Sequence, residues 1–197
     1  DVVLTGEPTH SQFGSAVSTA GDFNGDGFDD LIVGAYLHGA QGPMTGQVYV
    51  YFGGPDLDDA PDLVLTGEAA GDGFGYALAS IGSINGYAYS SIIVGAPWND
   101  AAGTNAGRAY VFLGGAAADA YADIVLTGDG PEDRFGIALT SAGDVNADGF
   151  ADFAAGASNQ DAGGGLTAGK VYLYLGGSVR HVPAVAVFPG QAVNDQF

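Results

Sequence analysis

One period governs this sequence. Val-Leu-Thr-Gly occurs at residues 3–6, 64–67 and 125–128, 61 residues apart both times. A degenerate fourth copy, Val187-Phe188-Pro189-Gly190, follows 62 residues later. Phe-Gly recurs in the same phase at 13–14, 74–75 and 135–136, and Gly-Ala at 34–35, 95–96 and 156–157. Gly-Gly closes a strand-like run at 53–54, 114–115 and 176–177. Landmarks that keep one phase along a whole chain define structural repeats, each a supersecondary unit stacked on its neighbours. The repeats run approximately 7–67, 68–128 and 129–190, within a single segment spanning 1–197.

Each repeat carries four short strand signals, in the first at 15–20, 30–35, 47–52 and 62–66. They are rich in Val, Ile, Tyr and Phe, and Gly, Asp, Asn and Pro separate them. No stretch keeps an apolar 3.6-residue period for three turns, so helix is a poor reading. Leu31-Ile32-Val33 and Ile92-Ile93-Val94 read as strands buried on both faces. Four antiparallel strands per repeat describe the blade of a β-propeller. A β-sandwich of about a dozen strands needs no strict period. The expected class is all-β, with three four-stranded antiparallel blades.

Charge narrows the function. Lys+Arg 4 against Asp+Glu 23 gives −19, which excludes nucleic acid, whose phosphates need clustered Lys and Arg. It also disfavours an anionic membrane surface, and no apolar run is long enough to insert in a membrane. The 47% hydrophobic content separates the chain from a disordered acidic tail. Cysteine is absent, so disulfides play no part.

Two loops repeat one acidic arrangement. Asp22-Phe23-Asn24-Gly25-Asp26-Gly27-Phe28-Asp29-Asp30 and Asp144-Val145-Asn146-Ala147-Asp148-Gly149-Phe150-Ala151-Asp152 share the pattern Asp-x-Asn-x-Asp-Gly-x-x-Asp. Oxygens at alternate positions wrap a hard cation, and the Gly supplies the sharp turn. An EF-hand needs Glu at position twelve and flanking helices. Position twelve here is Val33 or Ala155, strands follow, and the last acid stands at position nine. Oxygen-only donors suit Ca²⁺ better than Zn²⁺, and Mg²⁺ holds its waters too tightly. The alternative is an Asp/Asn/Gly turn capped by its own side chains. The aligned stretch of the second repeat, 83–91, loses all three acidic positions, to Ser83, Tyr87 and Ser91. A metal in these loops is therefore expected to be structural, stiffening a hairpin.

With Phe-Gly in every repeat and Gly95-Ala96-Pro97 in the second, the chain resembles the FG-GAP repeats that build the propellers of integrin α subunits and of many bacterial surface and secreted proteins. The other two copies read Gly34-Ala35-Tyr36 and Gly156-Ala157-Ser158. The resemblance implies Ca²⁺ held by the side chains of Asp22, Asn24, Asp26 and Asp30 with the carbonyl of Phe28. It implies the same roles for Asp144, Asn146, Asp148 and Asp152 with the carbonyl of Phe150. Integrin members are similar to seven-bladed rings, so three blades do not close one. Residues 1–6 then read as the last strand of a preceding blade, and 191–197 as leading into a following one. The chain is expected to be a slice of a longer protein, or a homo-oligomer that completes the ring.

Hydrolytic or redox machinery is hard to assemble. There is no Cys nucleophile, His10, His38 and His181 lie at unrelated phases, and no Gly-x-Ser-x-Gly elbow, Walker loop or His-Glu-x-x-His occurs, which leaves paired carboxylates as the one open route to glycoside chemistry. The acidic groups Asp129, Glu132, Asp133 and Asp56, Asp58, Asp59 read as solvated loop acids. The long Gly-rich loops at 36–45, 97–106 and 158–168 lie, by the resemblance, on the face opposite the metal loops, where partners bind. Trp98, with Asn99, Asp100 and Tyr36, is the candidate contact for a protein or glycan ligand. Alternatively Trp98 packs over its own loop. The expectation is a calcium-binding, non-catalytic adhesion or recognition module outside a bacterial cell, secreted or on its surface. The alternatives are an accessory propeller of a larger secreted enzyme, as attached to some phospholipases, and a carbohydrate-binding lectin.

Overall fold

A computed structural model of the chain describes residues 2–7, 10–159, 168–177 and 184–190. Twelve strands and no helix occur among them. Blade one holds β1 (Ala16–Gly21), β2 (Asp30–Ala35), β3 (Gln47–Tyr51) and β4 (Leu63–Thr66). Blade two holds β5 (Ala77–Gly82), β6 (Ser91–Ala96), β7 (Arg108–Phe112) and β8 (Ile124–Thr127). Blade three holds β9 (Phe135–Gly143), β10 (Asp152–Ala157), β11 (Lys170–Tyr174) and β12 (Ala186–Pro189). Each blade is a four-stranded antiparallel meander in sequence order. The register repeats too: Val33 faces Tyr49, Val94 faces Tyr110, and Ala155 faces Tyr172. These are propeller blades, and the described residues do not by themselves close a ring.

The strand signals at 30–35 and 47–52 match β2 and β3 closely. Asp62 lies just before β4: its N–H donates to the Val50 carbonyl at 2.9 Å, and its carboxylate accepts the Phe52 N–H at 2.7 Å. Asp123 does the same for Leu113 at 2.8 Å.

Neighbouring blades share cores. β1 packs on β5 and β5 on β9. One cluster joins Val48, Val50 and Leu65 of blade one to Phe74, Val94, Tyr110 and Phe112 of blade two. A second joins Ile93, Val111 and Leu126 to Phe135, Phe153 and Tyr172. β6, sandwiched between sheets, is buried at all six positions. The recurring Phe and Gly now have physical reasons. Phe74 sits edge-on to Tyr110, with centroids 5.4 Å apart, and Phe135 sits the same way on Tyr172 at 5.3 Å. A Cβ on Gly34 would lie 2.3 Å from the carbonyl oxygen of Gly75, and one on Gly95 would lie 2.0 Å from that of Gly136. The Gly of Gly-Ala in one blade therefore abuts the Gly of Phe-Gly in the next, closer than any side chain permits.

Candidate metal centre and the opposite loop face

The first acidic loop joins β1 to β2 and is a chain of side-chain-capped turns. Asp22 accepts the Gly25 N–H at 2.8 Å with Oδ1 and the Gly27 N–H at 3.1 Å with Oδ2. Asn24 Oδ1 accepts the Asp26 N–H at 2.9 Å, and Asp26 Oδ1 accepts the Phe28 N–H at 2.9 Å. Asn24 also donates its amide to Asp26 Oδ2 at 3.0 Å. The third-repeat loop, between β9 and β10, repeats this with Asp144 accepting from Asp148 and Gly149, and Asp148 accepting from Phe150. Asn146 bridges to Asp148 at 2.8 Å.

The ninth residue has a different environment. Asp30 is buried and accepts three backbone N–H groups, from Phe23 at 2.8 Å, Asn24 at 3.2 Å and Gly53 at 2.8 Å. Burial raises its pKa, against the lowering by those three bonds. Asp152, fully buried, ties Val145 and Gly176 in the same way, at 2.8 Å each. Both carboxylates thus clamp the start of the loop to the Gly-Gly that follows the third strand. In blade two Ser91 takes this place, and its buried Oγ has no hydrogen-bond partner among the described residues. That loop keeps its shape through Ser83 Oγ donating to the Tyr87 carbonyl and Asn85 Oδ1 accepting the Tyr87 N–H at 3.1 Å.

Among the described residues no three acidic or histidine side chains converge into a ready metal cage. Loop amides hold the carboxylates instead. The donor chemistry nonetheless fits a hard cation. Every donor is oxygen, and an ionised carboxylate oxygen that accepts one N–H retains further acceptor capacity. No basic side chain balances these loops: the ion pairs among the described residues are His38–Glu7, Arg108–Glu68 and Lys170–Asp129. Beside loop one, Asp26 and Phe28 border an open cleft of ≈ 270 Å³ that Asp56, Asp58 and Asp62 also line.

Loop one is also fastened to blade two. Ser90 donates its N–H to the Asp22 carbonyl at 2.9 Å, and Gly115 to the Phe23 carbonyl at 2.7 Å. The second loop holds blade three likewise, with Ala151 donating to Ser83 and Gly177 to Ile84. Phe23 and Ile84 are consequently fully buried, whereas Val145, their counterpart in blade three, is 53% exposed.

The β2–β3 and β6–β7 loops leave the opposite ends of β2 and β6. There Trp98 is half-buried, 4.9 Å from the Tyr76 ring and 6.0 Å from that of Tyr36. It lies over Gly73, where a Cβ would touch the indole at 2.4 Å. Trp98 thus spans the joint between blades one and two. Asn99 is buried and donates to Asp72 Oδ2 at 2.7 Å while its own oxygen accepts the Ala101 N–H. Asp100 is exposed and accepts the Asn105 N–H at 2.8 Å. The 158–168 loop lies mostly outside the described residues, as do His181 and 191–197.

Sequence reasoning missed the buried acids two residues before Phe-Gly. Asp72 and Asp133 are 4% and 3% exposed, and burial raises the pKa of both. Asp133 is therefore not the solvated loop acid expected; it caps its own turn, accepting the Gly130 N–H at 2.7 Å. The available signal was its phase: Ser11, Asp72 and Asp133 are equivalent, all buried, and their carbonyls accept from Leu37, Trp98 and Asn159.

Comparison with known proteins agrees with this geometry. The FG-GAP repeat matches residues 13–51 and 135–174, and a second FG-GAP repeat description matches 62–112. Integrin alpha-5 of Xenopus laevis is 38% identical over 115 residues, 56% of this chain and 10% of that protein. Integrin alpha-3 of Mus musculus is 38% identical over 113 residues, 56% of this chain and 10% of that protein. Integrin alpha-7 of Rattus norvegicus is 42% identical over 102 residues, 50% of this chain and 9% of that protein. The chain thus spans about a tenth of the length of the integrins it matches. On its matched repeats and their blade geometry, the chain belongs to the FG-GAP repeat family and is similar over half its length to integrin α subunits.

Proposed function

We propose that the 22–30 and 144–152 loops each hold one Ca²⁺, and that the chain is a non-catalytic, extracellular adhesion or recognition segment. The observation that carries the metal reading is the pair of loops, bearing four carboxylates in 22–30 and three in 144–152, with no basic partner among the described residues. Asp22, Asn24, Asp26 and Asp30 with the Phe28 carbonyl would hold one ion. Asp144, Asn146, Asp148 and Asp152 with the Phe150 carbonyl would hold the other. A bound Ca²⁺ neutralises mutually repelling carboxylates and ties together a loop that fastens one blade to the next.

Similarity to integrin α subunits supports the recognition role and a protein partner. The aromatic group of Tyr36, Tyr76 and Trp98, on the face away from the acidic loops, is the proposed contact, with exposed Asp100 beside it. Its partly open rings also favour a glycan as the second reading. Thermal unfolding tests the metal reading, since a ligand of the folded state alone raises Tm by mass action. Tm is expected to fall in chelator and return with Ca²⁺; identical curves would refute the structural role. Screening against glycan arrays and immobilised matrix proteins, with Trp98→Ala as control, tests the recognition role. Binding unaffected by Trp98→Ala would remove that face from the reading.

A further inference from the structure

Asn-Gly occurs twice in the chain, at Asn24-Gly25 and Asn85-Gly86, at equivalent places in the repeat. Each pair lies in the loop that joins the first two strands of its blade. Gly25 and Gly86 are exposed and take the left-handed backbone, with φ 86° and 79°. The Asn side chains make the same turn. Asn24 Oδ1 accepts the Asp26 N–H at 2.9 Å, and Asn85 Oδ1 accepts the Tyr87 N–H at 3.1 Å. The surroundings of the Gly nitrogen differ. Gly25 donates its N–H to Asp22 Oδ1 at 2.8 Å. Ser83 stands in the place of Asp22, and its Oγ donates to the Tyr87 carbonyl instead. The Gly86 N–H has no acceptor among the described residues and is open to water. The side-chain amides differ in the same sense. Asn24 Nδ2 donates to Asp26 Oδ2 at 3.0 Å, whereas Asn85 Nδ2 has no partner among the described residues.

We propose that Asn85 is a site of spontaneous deamidation, with water as the co-reactant, and that the first acidic loop protects Asn24 from the same reaction. The Gly86 nitrogen attacks Asn85 Cγ and bonds to it. Its proton passes through water to the leaving amide, the Cγ–Nδ2 bond breaks, and ammonia departs. A cyclic succinimide remains. Water then adds to one of its two carbonyls. Opening at Cγ gives aspartate at this position. Opening at the main-chain carbonyl gives isoaspartate, whose chain continues through Cγ. Either way an amide and a water become a carboxylic acid and ammonia, and nothing is oxidised or reduced.

The nitrogen attacks as it gives up its proton. A carboxylate bonded to that N–H opposes the step twice, by holding the proton in place and by repelling the negative charge that develops. Asp22 and Asp26 flank Asn24, whereas Ser83 and Tyr87 stand at those places beside Asn85. The reaction also has a structural consequence. The Ser83 and Ile84 carbonyls accept from Ala151 and Gly177 of blade three, at 3.0 and 2.8 Å. A Cβ on Gly86 would lie 2.9 Å from the Phe150 ring, which leaves no room there for the longer main chain of isoaspartate. The joint between blades two and three thus carries a one-way change that loosens it with time.

The proposal rests on the loop hydrogen bonds and not on the Ca²⁺ reading. Its test is incubation of the chain in chelator at neutral pH. Digestion with pepsin in acid then halts the reaction, and mass spectrometry of the peptides reads the amide-to-acid mass gain at each Asn. Asn85 is expected to convert roughly tenfold or more faster than Asn24, the margin of one hydrogen bond to a charged acceptor. In guanidinium the two rates should become similar, because both sites are then Asn-Gly in an unfolded chain. Ser83→Asp should slow Asn85 by restoring an acceptor for Gly86. Equal rates in the folded chain, faster conversion at Asn24, or a difference that survives in guanidinium would overturn the proposal. So would an Asn85 rate unchanged in folded Ser83→Asp. Thermal unfolding reads the joint. Tm is expected to fall as the converted fraction rises, and to fall less over the same time in Ser83→Asp. A Tm that ignores conversion would overturn the effect on the joint.

Discussion

Ser90 donates its backbone N–H to the carbonyl of Asp22, the first residue of the first acidic loop, at 2.9 Å. The loop expected to carry the metal is thereby also the fastener between blades one and two. Anything that deforms the loop should loosen the joint, and anything that stiffens it should strengthen the joint.

Two glycines of the same loop separate these effects. Gly25, at φ 86°, lies against the Tyr89 ring of blade two, whereas a Cβ on Gly27, at φ 91°, meets nothing within 4 Å. Gly27→Ala is expected to cost about 1–2 kcal/mol, from the left-handed backbone alone. Gly25→Ala should cost about 1–3 kcal/mol more, because Tyr89 must also move. Urea unfolding of the two variants checks the order, and equal losses would show that the Tyr89 contact contributes nothing.

The ninth loop position supplies a second contrast. Asp152→Ala leaves the part-buried N–H groups of Val145 and Gly176 without their acceptor. Water can reach such donors in part, so the variant is expected to lose about 1–3 kcal/mol in total. Ser91→Ala, at the equivalent place in blade two, removes an Oγ that has no described partner. It is expected to be neutral or to stabilise by up to about 1 kcal/mol. Denaturant midpoints measured in chelator keep the metal out of the comparison.

Asp72 gives a pH signature. Burial raises its pKa in the folded protein above the ordinary carboxylate range, partly opposed by the Asn99 hydrogen bond. The folded state therefore holds its proton over a window in which the unfolded state has released it. Stability should fall as pH rises through that window and stay lowered above it. Asp72→Asn keeps an acceptor for Asn99 and removes the titration, so its stability should lose this part of the slope on the alkaline side of the ordinary carboxylate range. Parallel pH profiles for both proteins would contradict the burial argument.

Much of the blade was legible in the sequence because strand alternation and turn residues are local. The four signals per repeat fall on β1–β12 within a residue or two, and the 61-residue period maps onto stacked sheets. The reason for the motifs was not legible, because it lies between repeats. Gly34 is small on account of the Gly75 carbonyl, 41 positions away in the sequence. Asp133 looked like its solvated neighbours because nothing local marks a carboxylate that folding buries. The setting of Trp98 was not legible, since Tyr36 and Tyr76 reach it across a blade joint. The acidic loops were visible as a pattern, and the structure adds that their ninth residues are buried clamps.

Calorimetric titration of chelator-stripped protein with Ca²⁺ addresses the central claim. Two sites per chain are expected, with dissociation constants as weak as about 10⁻⁴–10⁻³ M, the range of extracellular modules. Asp26→Ala should abolish one site and Asp148→Ala the other, with the double variant binding none. A stoichiometry of zero, or a site that survives in the double variant, would contradict the account.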